Sequence, residues 1–88
     1  MSRYPVEISR QAVKATARLE RADQLRIRAA IDLLADEPRP PGAVKLAGET
    51  SACRVRVSDY RIVYDVIDGR LVIQVVRIGH RRDIYRSP

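Results

Sequence analysis

Cys53-Arg54-Val55-Arg56-Val57, Ser58-Asp59, Tyr60-Arg61-Ile62-Val63-Tyr64-Asp65-Val66-Ile67, Asp68-Gly69 and Arg70-Leu71-Val72-Ile73-Gln74-Val75-Val76-Arg77-Ile78-Gly79 follow one another without interruption. The three long runs are rich in Val and Ile, and the pairs between them are turn formers. That pattern predicts a β-meander. Asp68-Gly69 suits a two-residue hairpin turn, because Gly adopts positive φ freely and Asp does so more readily than most residues. Arginines recur through the meander, and the only His, His80, falls where the last run ends. His80-Arg81-Arg82-Asp83-Ile84-Tyr85-Arg86 then follows. A sheet carrying many arginines, one His and one late Tyr is suited to holding a polyanion.

Upstream of the meander, residues 3–8 read as a short first strand. Pro5 removes a backbone donor there and favours an edge position. Ser9 is a candidate N-cap for a helix running to about Glu20, with Ala12, Val13, Thr16 and Leu19 at near-helical spacing. A break near Arg21-Ala22 precedes a second cap candidate, Asp23. The second helix carries Ile27, Ala30, Ile31, Leu34 and Ala35 on one stripe, and Pro38 ends it. Residues 38–51 read as a Pro- and Gly-rich linker, anchored to the core by Val44 and Leu46. Tyr60 and Tyr64 share strand parity with Ile62 and pack inward, while Asp59 and Asp68 belong to turns. The expected fold is α+β in one domain spanning residues 1–88. An N-terminal strand and two helices precede a three-stranded antiparallel meander, giving one sheet with its helices on one face.

With 88 residues and neither Phe nor Trp, the core must come from Val, Ile, Leu, Ala and Tyr. The formal net charge is +6 and the pI about 10.2. Such a balance favours an anionic partner, whether nucleic acid, a membrane surface or an acidic protein. The charge is uneven: residues 52–88 hold eight Arg against four Asp and no Lys. Arg grips phosphate in two-pronged fashion and stacks on bases. A lone Cys53 in an apolar strand pattern excludes a disulfide framework and reads as a packed small residue. One His and one Cys leave no conventional zinc site, and neither a metal nor any other cofactor is expected. No apolar run is long enough to span a bilayer, so a cytoplasmic protein without membrane contact is expected.

Arg54 and Arg56 lie two apart on one strand and so share a face. Arg61, His80 and Arg81 return near neighbouring strand ends. Cutting RNA without metal needs a base for the 2′-hydroxyl, cations for the phosphorane-like transition state and an acid for the leaving 5′-oxygen. Arg54, Arg56, Arg61 and Arg81 could supply the cations, and His80 titrates in the useful range. Tyr85 could stack, hydrogen-bond a phosphate or move a proton. The same set would also serve binding alone.

Tyr60-Arg61-Ile62-Val63-Tyr64, the Asp-Gly hairpin, the Val/Ile strand and the Gly79-His80-Arg81-Arg82-Asp83-Ile84-Tyr85 ending together resemble the RelE/ParE superfamily of toxins from bacterial type II toxin–antitoxin modules, on its RelE side. The resemblance covers nearly the whole chain. It implies a ribosome-dependent, metal-independent endoribonuclease that cuts mRNA in the ribosomal A site and leaves a 2′,3′-cyclic phosphate. It also implies a cognate RelB-like antitoxin with an acidic C-terminal segment, and operator DNA contacted only through the antitoxin complex. Residue by residue, it places Arg61, His80, Arg81 and Tyr85 in catalysis and Arg54, Arg56 and Arg82 on the RNA. The best-studied RelE pattern has Lys on the strand where this chain has Arg54 and Arg56. Arg stays protonated, so the role of base shifts to His80. The alternatives are a ParE-like inhibitor of DNA gyrase and an inert module acting as antitoxin co-regulator.

Overall fold

A computed structural model describes residues 3–48 and 51–78. The elements run β1 (Val6–Ile8), α1 (Arg10–Ala17), α2 (Arg21–Asp36), β2 (Val44–Lys45), β3 (Cys53–Val57), β4 (Tyr60–Ile67) and β5 (Arg70–Ile78). They form one five-stranded sheet in the order β1-β5-β4-β3-β2. The meander is as expected: β3, β4 and β5 pair antiparallel in sequence order. β1 adds to β5 in parallel and is an edge strand, in keeping with Pro5 just before it. The α+β architecture read from the sequence holds. The sheet gains one strand, because β2 inside the expected linker pairs with β3.

Alternation along the meander separates two faces. Cys53, Tyr60, Ile62, Tyr64, Leu71, Ile73 and Val76 point to the helices and form one core with Ala12, Ile27, Ile31, Leu34 and Ala35. Ile27, Ile62, Leu71 and Ile73 are fully shielded from solvent. Deleting a buried aliphatic side chain of this kind costs about 2–5 kcal/mol. Tyr60 and Tyr64 pack inward as expected, and each hydroxyl finds a partner. Tyr60 donates to Asp23 Oδ2 at 2.8 Å, and Tyr64 donates to the Pro38 carbonyl. Cys53 is buried and free.

Ser9 caps α1 as expected: its Oγ accepts from the Ala12 N–H at 3.0 Å. The same hydroxyl donates to the Gln74 carbonyl at 2.6 Å and so ties the helix to the sheet. Several boundaries differ from expectation. α1 stops at Ala17 rather than near Glu20. Its only buried residue is Ala12, and Val13 is exposed. α2 starts at Arg21 with Glu20 in the cap position. Asp23 is therefore a first-turn residue rather than the cap, and it is engaged by Tyr60 and by Arg26 at 2.8 Å. Val44 does not anchor the linker. Its register opposite Arg54 puts it on the face away from the helices, where it is exposed.

One irregularity shapes the rest. Val63 pairs with Val75, but Tyr64 pairs with Ile73, so Gln74 is an extra residue in β5. This bulge reverses the parity of β5 beyond it. Leu71 and Ile73 face the helices before it, and Val76 faces them after it. The turn after β4 has Asp68 at φ 51 and Gly69 at φ 75, as an Asp-Gly hairpin requires. No helix among the described residues is long and apolar enough to cross a membrane.

Candidate functional site

The sheet face opposite the helices is where the expected phosphate ligands meet. Arg54 and Arg56 point there from β3, because Cys53, Val55 and Val57 of the same strand turn toward the core. Arg61 points there from β4, between the buried Tyr60 and Ile62. The register then sets their spacing. Arg56 is directly opposite Arg61, and Arg54 is opposite Val63. Adjacent strands lie about 4.8 Å apart, and two residues along a strand cover about 7 Å. Three guanidinium groups are thus gathered around Val63, Arg56 being exposed and the other two half-buried.

None of the three has a carboxylate partner among the described residues. Ion pairs form elsewhere instead. Arg3 holds Asp32 at 2.7 Å and Asp36 at 3.5 Å, Arg26 holds Asp23, and Arg70 meets Glu7 at 3.4 Å. Cations with no internal counter-ion keep their field available to an outside anion. The buried carboxylate of β4, Asp65, shares this face two residues beyond Val63 and is the diagonal neighbour of Arg54, but forms no ion pair with it. It lies four residues from Arg61, about 13 Å along the strand. Its oxygens are taken up by Ser51 Oγ at 2.6 Å and the Val66 N–H at 2.7 Å.

Two tyrosines mark the covered side of the site. The Tyr60 hydroxyl is held above its ordinary value of 10.0, first by its hydrogen bond to Asp23, then by burial and by the negative charges of Asp23, Asp59 and Glu20. Burial also raises Tyr64, as does the neighbouring Cys53, while Arg39 pulls it down. Both stay neutral through the physiological range and serve packing. His80, Arg81, Arg82 and Tyr85, the remaining expected site residues, lie outside the described residues. Among the described residues, no cluster of three or more His, Cys, Asp or Glu could hold a metal ion.

Arg77 is a further cation of this face that its sequence context hides. Strict alternation from Leu71 and Ile73 would turn it inward. The bulge at Gln74 turns it outward instead, directly opposite Arg61. A charged side chain in a slot that parity assigns to the core is itself the sign of a register shift.

Comparison with known proteins defines the class. Residues 6–85 match the family of ParE toxins of type II toxin–antitoxin systems. An Escherichia coli protein described as a RelE-like toxin is 36% identical over 87 residues, covering 94% of this chain and 90% of that protein. The chain therefore belongs to the RelE/ParE toxin family of type II toxin–antitoxin systems. Within it, the structural likeness runs to RelE toxins. The archaeal RelE–RelB complex of Pyrococcus horikoshii shares 31% identity and a TM-score of 0.75, over 92% of this chain and 99% of that one. The isolated Escherichia coli RelE toxin matches with a TM-score of 0.79 at 23% identity, over 93% and 90% of the two chains, and supports the fold.

Proposed function

We propose that this chain is the toxin of a type II toxin–antitoxin pair and cuts messenger RNA in the ribosomal A site without a metal. The observation that carries the reading is the open sheet face, where Arg54, Arg56 and Arg61 stand together with no carboxylate partner among the described residues. A phosphodiester on this face would meet two or three guanidinium groups placed to take up the charge that grows on the phosphorane as the 2′-oxygen attacks. Such groups are already oriented by the strands beneath them, so little reorganisation is needed during reaction.

Arginine does not lose its proton at accessible pH, so Arg54, Arg56 and Arg61 serve as clamps rather than bases. His80 then takes the 2′-hydroxyl proton. Arg81 adds positive charge to the scissile phosphate, and Arg82 holds the neighbouring backbone. Tyr85 stacks on or orients the substrate and assists proton transfer to the leaving 5′-oxygen. The products are a 2′,3′-cyclic phosphate and a free 5′-hydroxyl. The partner that restrains the toxin is a RelB-like antitoxin whose acidic segment neutralises the same basic face. Operator DNA is reached through that complex. The work belongs in the cytoplasm, where ribosomes are.

Primer extension on a defined mRNA, held in a ribosome with an empty A site, tests the reading. Wild type is expected to cut within the A-site codon, and Arg61→Ala and Arg81→Ala are expected to lose the cut. His80→Ala should lose it as well if His80 is the base. Absence of any cut by folded, antitoxin-free wild type would overturn the nuclease. Accumulation of gyrase cleavage complexes on induction would replace it with a gyrase inhibitor, and absence of toxicity with an inert co-regulator.

A further inference from the structure

Arg56, Arg61 and Arg77 occupy one line across β3, β4 and β5, each directly opposite the next. The line spans about 10 Å at ordinary strand spacing. It points toward an open border of the sheet. β1 covers β5 only at Leu71, Val72 and Ile73, so beyond the bulge no strand flanks β5 among the described residues. α1 runs beside that border. There, Arg77 and Arg18 line the same surface hollow of about 320 Å³, whose other described walls are Ala15, Leu19, Tyr60 and Val76. Neither Arg77 nor Arg18 has a carboxylate partner among the described residues. The hollow is thus apolar and aromatic inside, with two guanidinium groups on it that no carboxylate of the described residues neutralises. That combination suits a nucleotide of single-stranded RNA, with the ring against Leu19, Val76 and the Tyr60 ring and the phosphate on the arginines.

We propose that Arg77 and Arg18 are RNA-binding residues that extend the clamp beyond the cutting face. The message crosses the sheet along Arg56, Arg61 and Arg77, leaves over the free border of β5, and seats a flanking nucleotide in the hollow against α1. This rests on the reading of the open face as the mRNA site. It adds a binding subsite outside the cut codon, and with it a longer footprint on the message. Both residues are exposed, so replacing them leaves the core intact.

The test uses full-length toxin and a programmed ribosome whose A-site codon carries 2′-deoxy sugars, so that binding is read without cutting. Arg77→Ala and Arg18→Ala should each weaken binding roughly tenfold. The slope of log affinity against log salt should become shallower by about 0.7 for each phosphate that is no longer neutralised. Arg77→Lys should keep the wild-type slope, because the charge remains. Messages truncated on either side of the codon then locate the subsite. Truncation on one side should erase the difference between wild type and Arg77→Ala. Wild-type affinity and salt slope in both alanine variants would overturn the subsite. A defect that persists on both truncated messages would also overturn it, since the two arginines would then be bound to ribosomal RNA. An Arg61→Ala variant run alongside separates the two failures. If it too binds like wild type, the reading of the open face falls. If it alone is impaired, only the subsite falls.

Discussion

Ile62 and Arg61 are neighbours on one strand and belong to different problems. Ile62 points toward α1 and α2 and has no exposed surface, whereas Arg61 points the other way and remains half-buried. The covered face is aliphatic apart from Cys53, Tyr60 and Tyr64, and both tyrosine hydroxyls are satisfied. The open face gathers Arg54, Arg56, Arg61 and Arg77, which meet no carboxylate among the described residues. Like charges side by side on a sheet are unfavourable, so stability alone does not explain the row. The contrast teaches that the helix-covered face supplies the free energy of folding and spends part of it holding a repulsive, anion-seeking surface in place.

The largest effect should come from breaking the covered face. Ile62→Ala is expected to cost about 2–5 kcal/mol of stability, because the site cannot collapse around the lost methyl groups. Urea unfolding monitored by circular dichroism measures it. One residue away, Arg61→Ala should leave the unfolding midpoint nearly unchanged, within about 0.5 kcal/mol. It should lower A-site cleavage on the order of a hundredfold, as removal of one transition-state donor does.

The bulge links the two faces. Ser9 both caps α1 and binds the carbonyl of Gln74, the extra residue that turns Arg77 outward. Ser9→Ala should therefore destabilise by about 1–2 kcal/mol. It should also weaken toxin binding to programmed ribosomes through Arg77, whereas Ser9→Thr should preserve both. If binding is untouched at equal loss of stability, the bulge does not depend on that bond.

A smaller effect should appear at alkaline pH. Tyr60 titrates above its unfolded value of 10.0 because it donates to Asp23. The native state then holds its proton longer than the unfolded state, so this contribution is whole below about pH 10 and is lost as pH rises through the raised native value. Melting temperatures should be flat with respect to this group from pH 7 to 9 and fall above pH 10. Tyr60→Phe should fall less steeply there. An equally steep fall in Tyr60→Phe would assign the transition to Tyr64 or to other groups. Smallest of all should be Arg3→Ala. Its two ion pairs with Asp32 and Asp36 are well exposed and contribute about 0–1 kcal/mol at most.

Much of this division was legible in the sequence. The alternation Tyr60, Ile62, Tyr64 against Arg61 and Val63 gave both faces of β4, and the Arg54/Arg56 spacing put two cations on one side. The Ser9 cap and the α2 stripe followed from local chemistry. What escaped depends on pairing rather than on local pattern. β2 is two residues long and exists because β3 offers an edge. Val44 reads as an anchor until its register opposite Arg54 turns it outward. The second helix begins at Arg21 because Glu20 takes the cap backbone geometry with no side-chain bond of its own, and Asp23 is occupied by Tyr60. Arg77 was hidden by the bulge, since period-two reading puts it in the core.

The most direct measurement is cutting and unfolding, side by side, for wild type and the Arg54→Ala/Arg56→Ala/Arg61→Ala triple variant. Primer extension on mRNA in a ribosome with an empty A site reads the first, and urea unfolding reads the second. Wild type should cut within the A-site codon and the triple variant should not, while the variant's unfolding midpoint should lie at or above that of wild type once the like charges are gone. A triple variant that still cuts as wild type does, or one that unfolds because those arginines were needed for the fold, would contradict the division between the two faces.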